Sequence, residues 1–334
     1  MKIAIVKLSA MGDIIHAMVT LQFIKKINPS IKIDWFVEEA FAEVLRDNPH
    51  INNIYPVNLK SIKKNKMKFF SQFSLIKKYS KNKYDLVIDA QGLIKSAIVA
   101  KLLGKKRVGF SKTSTRESLA SSLYSHKIES DYSKNVIERN LDVILKPLEI
   151  KVSKEQLLKK EPFLFFNERF DFSEYLKNNK KNILLIVGAS WPSKIYSKEK
   201  FAKICNSLDE NFLIAWGNEE EKSMAEYISS NSKAVVLPKL TLNDLKALVA
   251  KVDLVVGNDT GPTHMAWALN IPSITIFGCT PGYRNTYQTD LNKIIESKSK
   301  VNPEKLNRED FSIQNIDEEK ITSMIKEILF EGKC

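Results

Sequence analysis

Cysteine is scarce in this chain: Cys205, Cys279 and Cys334 are the only three among 334 residues. So few and so scattered, they exclude a disulfide framework and a cysteine-based zinc site, and they fit a reducing cytoplasm. No apolar run approaches the roughly 18 residues needed to cross a bilayer. The N-terminus goes from Met1-Lys2 straight into Ile3-Ala4-Ile5-Val6, without the h-region or cleavage site of a signal peptide. Nucleic-acid signatures are missing as well, with no zinc-finger spacing, no aromatic RNA-binding strand motif and no clear helix-turn-helix. The loop after the first strand lacks the G-x-G-x-x-G dinucleotide fingerprint, and no loop ends as a Walker loop does. Nor is there an Asp-x-Asp pair anywhere. That argues against a divalent metal held by paired carboxylates.

Acidic residues are missing where it matters most. The formal net charge is +13, and between Ile51 and Tyr84 there are nine lysines (60, 63, 64, 66, 68, 77, 78, 81 and 83) and no Asp or Glu. Such a block attracts polyanions, whether nucleic acid, anionic lipid headgroups or a phosphorylated glycan. It is also what a lysine-rich solvated face looks like. The interleaved Phe69, Phe70, Phe73, Leu75 and Ile76 predict an amphipathic segment rather than a disordered tail. Without nucleic-acid motifs, a membrane surface or an anionic substrate is the better fit.

What is present is an α/β rhythm. The length allows two domains, and the balance of 43% hydrophobic and 27% charged residues is that of a soluble globular chain. In the first half strands are predicted at Lys2–Lys7, Lys32–Val37 and Leu86–Asp89, and helices at Asp13–Ile27 and Phe41–Arg46. In the second, strands are predicted at Asn182–Val187, Asn211–Trp216, Ala234–Leu237, Asp253–Val256 and Ser273–Phe277. Helices fall between them, near Lys198–Leu208, Glu219–Ser229, Leu242–Ala250 and Thr263–Leu269. Strands alternating with helices give parallel sheets covered on both faces. The charged, strand-poor stretch Ile144–Tyr175 marks the junction. The expected organisation is two Rossmann-like doubly wound domains, 1–160 and 161–315, facing a central cleft. An amphipathic helix in 316–334 is expected to pack back on the N-terminal domain.

In such folds ligands bind at the carboxyl ends of strands, so the loops that follow strands carry the information. Asp259-Thr260-Gly261 lies between a buried strand and a helix, with Pro262 in the first helical turn. Backbone N–H groups and the helix dipole converge there, as they would on a phosphate. After the first strand, Gly12 permits a tight turn and Asp13 opens a helix, either as a cap or as a general base aimed at a ligand; His16 is one turn on. Gln91 and Lys95, after the Leu86–Asp89 strand, and Arg116 farther on are candidate polar contacts. Ser190 and Lys194 lie in a loop rich in small and hydroxyl residues that suits a phosphate oxygen. Glu219, after the Asn211–Trp216 strand, is placed to accept hydrogen bonds from a ribose diol, or simply favours a helix N-terminus.

Together Lys7–His16, Asp89–Ser96, Lys194–Tyr196 and Asn258–His264 resemble the lipopolysaccharide heptosyltransferases, family 9 of the glycosyltransferases. The first loop, Lys-Leu-Ser-Ala-Met-Gly-Asp-Ile-Ile-His, looks most like members that add the first heptose to Kdo. The resemblance runs from residue 1 to about 290. It implies a GT-B fold, with the acceptor on the N-terminal half and the nucleotide sugar on the C-terminal half. It also implies an inverting, metal-independent transfer from ADP-L-glycero-β-D-manno-heptose to Kdo2-lipid A, with no cofactor. Asp13 matches the family's catalytic base and Lys194 the lysine on the donor pyrophosphate. Glu219 matches the ribose-binding acid, and Leu240 falls at the adenine pocket. Asp259 matches the residue on the heptose hydroxyls; Thr260 and Gly261 offer N–H groups to phosphate, with His264 closing the same donor motif. Gln91, Arg116, Lys60, Lys63 and Lys64 fall on the acceptor side.

Two departures stand out. Ser190-Trp191-Pro192-Ser193 replaces the Thr-Thr-Arg-Asp type of loop, leaving Ser190 as the nearest hydroxyl, and Pro262 stands where some members carry Leu. The implied setting is a cytoplasmic monomer, peripheral on the inner face of the inner membrane, held by its lysines to anionic lipid. The rival expectations are a heptosyltransferase acting later in the core or on another phosphorylated glycan, and a non-catalytic nucleotide-sugar-binding protein.

Overall fold

The computed structural model describes residues 1–61 and 68–331, with only the backbone described at Phe69. The chain divides into two compact units, Met1–Phe165 and Phe166–Cys334, against an expected boundary after residue 160. In the first unit the strands are β1 (Lys2–Val6), β2 (Lys32–Glu38), β3 (Asn53–Val57), β4 (Leu86–Asp89), β5 (Arg107–Phe110) and β6 (His126–Ile128). They form one sheet in the order β3-β2-β1-β4-β5-β6, with every neighbouring pair parallel. Its principal helices are α1 (Met11–Ile27), α2 (Lys68–Tyr79), α3 (Ile94–Leu103) and α4 (Val136–Leu145).

The second unit repeats the plan. Its strands are β7 (Asn182–Ile186), β8 (Asn211–Ala215), β9 (Val235–Val236), β10 (Leu254–Asn258), β11 (Ser273–Phe277) and β12 (Asn292–Glu296). The order β12-β11-β10-β7-β8-β9 is again wholly parallel. Helices α5 (Lys198–Ser207), α6 (Glu219–Ser230), α7 (Leu242–Val249), α8 (Gly261–Leu269) and α9 (Glu318–Lys326) accompany the sheet. Each unit is thus the Rossmann-like doubly wound arrangement expected.

The central strands formed where the apolar runs predicted them, because a parallel strand buried on both faces reads as continuous Ile, Val and Leu. Every residue of β7, β10 and β11 is buried. Strands β3, β5, β6 and β12 went unpredicted. Three of them are sheet edges, which leave a face in water and weaken the apolar signal: β3 carries Pro56, tolerated only at an edge, and β6 has no fully buried residue. Helices α3 and α4 were likewise unpredicted.

The closing helix was expected to return to the first half. Instead α9 packs in the second unit. Glu318 receives Lys203 at 2.8 Å and Lys200 at 3.5 Å, both from α5. Ile321 and Ile325 join the core that contains Val256 and Ile274. Apolar positions on one face of a short helix say that it must be covered, not by which neighbour. Among the described residues no helix is long and apolar enough to cross a membrane.

Candidate functional site

In a doubly wound sheet the connections from the two central strands leave in opposite directions, opening a crevice at their carboxyl ends. In the second unit those strands are β7 and β10, and the loops after them are Gly188–Tyr196 and Asp259-Thr260. Asn258, the fully buried last residue of β10, ties the two loops together. Its amide Nδ2 donates to the Val187 carbonyl at 2.7 Å, and its Oδ1 accepts the Tyr196 N–H at 3.0 Å.

Asp259 follows, 4% exposed, and both of its oxygens are engaged. Lys194 Nζ lies 2.6 Å from Oδ2. Thr280 Oγ1 and Asn285 Nδ2 donate to the same oxygen at 2.8 and 3.2 Å. His264 Nε2 lies 3.0 Å from Oδ1. Burial alone would raise the Asp259 carboxyl; the Lys194 charge and the contact with His264 outweigh it and hold the group well below the usual carboxylate range. Asp259 therefore fixes Lys194 at the mouth of α8.

No side chain caps that helix, and Pro262 stands in its first turn. Its leading N–H groups and the positive end of its dipole are thus suited to receive an anion. Lys194 also approaches the Trp191 ring at 5.8 Å, and the Arg308 guanidinium lies 4.2 Å from the same ring. Ser190 is exposed on the same loop, Thr260 is the N-cap of α8 and Gly261 is its first residue.

The remaining residues expected on the donor side follow β8 and β9. Glu219 is exposed as the first residue of α6, and Leu240 is half-buried beyond β9. Near them Trp216 donates its indole N–H to the Leu237 carbonyl at 2.7 Å. Glu221, two residues past Glu219, accepts the Gly217 N–H at 2.7 Å and reaches over Gly188. A Cβ at Gly188 would stand 2.1 Å from its Oε1, so a larger residue there would displace this carboxylate.

In the first unit the crevice lies between β1 and β4, and the loops after them brace one another. Lys7 Nζ donates to the Ala90 carbonyl at 2.9 Å. The Leu8 and Ser9 N–H groups both donate to Gln91 Oε1, at 3.1 and 3.0 Å. Gln91, expected on the acceptor, thus uses its carbonyl oxygen to shape the loop that leads to Asp13. Asp89 is the fully buried hub of the second loop, accepting Tyr124 Oη–H at 2.7 Å and the Gln91 and Gly92 N–H groups at 2.8 and 3.2 Å. Burial raises its carboxyl against those hydrogen bonds.

Asp13 is half-buried in the first turn of α1, with Oδ2 accepting the Ala10 N–H at 3.1 Å. It is a cap that also carries a partly exposed carboxylate. His16 is 2% exposed, inside the helix packing. Lys60 is exposed with Nζ 4.9 Å from the Phe41 ring, and Arg116 is exposed after β5. Lys63 and Lys64 lie outside the described residues.

The structure thus gathers Lys194, Asp259, Thr260, Gly261 and His264 at one crevice, and at the other sets Gln91 against the loop that leads to Asp13. The sequence missed Thr280, Asn285 and Arg308. Thr280 lies in the loop after β11, which the rule of looking beyond strand ends would have reached.

Residues 72–312 match glycosyltransferase family 9 (heptosyltransferase). Lipopolysaccharide heptosyltransferase 1 of Campylobacter coli is 40% identical over 343 aligned positions, spanning 98% of this chain and 99% of that protein. Its counterpart in Escherichia coli K12 is 29% identical across 86% of this chain and 91% of its own. Among solved structures, Escherichia coli heptosyltransferase WaaC with ADP-2-deoxy-2-fluoro heptose superposes with a TM-score of 0.79 at 23% identity, covering 98% of this chain and 99% of that one.

Proposed function

Because the chain belongs to glycosyltransferase family 9, the heptosyltransferases, we propose that it moves L-glycero-D-manno-heptose from ADP-L-glycero-β-D-manno-heptose to Kdo of Kdo2-lipid A in the lipopolysaccharide inner core. The observation that carries the donor half of this reading is the Asp259–Lys194 pair at 2.6 Å beside the uncapped start of α8. A nucleoside diphosphate needs donors directed at its phosphate oxygens, and this crevice supplies them from an ammonium oriented by Asp259 and from a helix end.

The reaction is a single displacement with inversion. Asp13 takes the proton from the acceptor hydroxyl as its oxygen bonds to the anomeric carbon. The bond from that carbon to the ADP oxygen breaks, and the electron pair leaves with the diphosphate. Lys194 and the N–H groups of Thr260 and Gly261 stabilise the departing charge without a metal. His264, buried against Asp259, keeps the carboxylate oriented toward Lys194. Glu219 takes the ribose hydroxyls, and Leu240 lies against the adenine. Ser190 is the hydroxyl nearest the phosphates. On the acceptor side Lys60, Lys63, Lys64 and Arg116 meet the phosphates and carboxylates of the lipid-linked sugar. The Ile51–Tyr84 lysine block holds this monomeric, cytoplasmic enzyme against the anionic inner leaflet.

Incubating the full chain with ADP-heptose and Kdo2-lipid A should release ADP in step with a one-heptose gain in acceptor mass. ADP release that ignores the acceptor, or no release at all, would overturn the reading. Excess EDTA should leave the initial rate unchanged; a loss restored by magnesium would put a metal in the mechanism.

A further inference from the structure

One buried carboxylate in the first unit has no part in this scheme. Glu38 ends β2 and is 2% exposed. Its N–H donates to the Leu8 carbonyl at 3.1 Å, which joins the carboxyl end of β2 to the loop that leads to Asp13. The backbone N–H groups of Leu59 and Lys60 lie against its carboxylate. Its Oε1 is buried and has no hydrogen-bond partner among the described residues. The Lys95 ammonium stands 4.0 Å from that oxygen, outside hydrogen-bond reach, on a side chain that is 39% exposed.

A buried acceptor left without a donor is costly, so its retention calls for a reason. Position suggests one. In the sheet β1 lies between β2 and β4, so Glu38 and the Asp89–Lys95 segment flank the β1 loop from opposite sides. Gln91, four residues before Lys95, already grips that loop at Leu8 and Ser9. This edge is the switch point, where doubly wound sheets take their ligands. A carboxylate oxygen next to a solvent-reaching ammonium matches a ligand with a hydroxyl close to an acid group.

We propose that Glu38 and Lys95 form an acceptor-recognition pair, in which Glu38 Oε1 accepts a hydroxyl hydrogen of an anionic sugar and Lys95 meets that sugar's carboxylate. The inference rests on the acceptor proposed above, because Kdo is such a sugar. Glu38 also clamps Leu59 and Lys60, so the exposed Lys95 is the discriminating position.

The test varies Kdo2-lipid A at saturating ADP-heptose, using wild type, Glu38→Gln, Lys95→Met and the double variant, with melting curves to confirm folding. Lys95→Met should raise the acceptor KM at least about tenfold, the scale of a lost hydrogen bond to a charged group, and Glu38→Gln, which keeps an acceptor oxygen but loses its charge, should raise it by less. The donor KM and calorimetric ADP affinity should stay at wild-type values. The double variant should lose less than the product of the singles, as coupled residues do. An unchanged acceptor KM in Lys95→Met would overturn the pair and leave Glu38 as a loop clamp, and so would an equal rise in donor KM. A wild type inactive on Kdo2-lipid A would overturn the acceptor reading and this pair together. If Glu38→Gln fails to fold, Lys95→Met alone decides.

Discussion

Asp259 shows what a single residue's surroundings add to its identity. The sequence placed it at a phosphate-binding turn and expected it to touch sugar hydroxyls. In the structure its oxygens hold Lys194, His264, Thr280 and Asn285, so the carboxylate also orients a cation. Asp13 has the opposite character: one oxygen is fixed by the Ala10 N–H, and the group keeps partial exposure. Asp13→Ala should therefore cut turnover by about 10²–10⁴-fold, the usual worth of a general base, while calorimetric ADP binding stays at the wild-type level. A parallel loss of ADP affinity would mean that Asp13 supports the fold rather than the chemistry. That an Asp opened α1 was legible from sequence. Whether it capped or catalysed was not, since both roles ask for a carboxylate at the same helical position.

At the scale of elements, the loops that carry the candidate residues are rigid because they hold one another. Gly92 has φ +71°, and a Cβ there would come within 2.9 Å of the Phe110 ring and 3.0 Å of Thr115 Oγ1. Gly92→Ala should cost about 1–3 kcal/mol in urea unfolding, from left-handed strain and the clash together. It should also lower turnover, because Gln91, which shapes the Asp13 loop, is the preceding residue. The lysine block behaves differently. Helix α2 carries Lys68, Lys77 and Lys78 with Phe70 77% exposed, so the amphipathic segment foreseen from sequence is a helix with a basic, partly apolar surface. Sedimentation with vesicles of anionic lipid should show binding that weakens steeply as salt rises, and none with neutral vesicles. Salt-insensitive binding would remove the electrostatic role. The helix was readable because its apolar residues recur at helical spacing; β3 and β6 were not, because an edge strand needs few apolar residues to form.

Across the whole molecule, two six-stranded parallel sheets share one strand order, so each has its switch point between its first and fourth strands. The four motifs that carry the family resemblance follow those four strands, whereas Glu219 follows β8. Near the end of the first unit, burial lowers the Lys160 ammonium from 10.5 to about 7. Between those values the unfolded chain holds a proton that the folded chain lacks, so stability rises with pH across the window and is lost as pH falls through about 7. Lys160→Met should flatten this slope in scanning calorimetry, melting above wild type at pH 7, with the gap closing toward pH 10.5. A gap that stays constant with pH would show that the lysine stays charged in the fold.

The sequence by itself determined the α/β class, the two-unit division, the central strands and the loops bearing Asp13, Lys194 and Asp259. Buried parallel strands must be apolar, and a chain leaving them must turn on glycine and polar caps, so these features are written locally. Only the tertiary structure decided that Asp259 holds Lys194, that Gln91 shapes the Asp13 loop, that α9 covers the second unit, and that Glu38 has an oxygen unmatched among the described residues, 4.0 Å from Lys95. Those facts depend on which distant segments meet, and hydrogen-bond partners many residues apart leave no periodic trace in the chain.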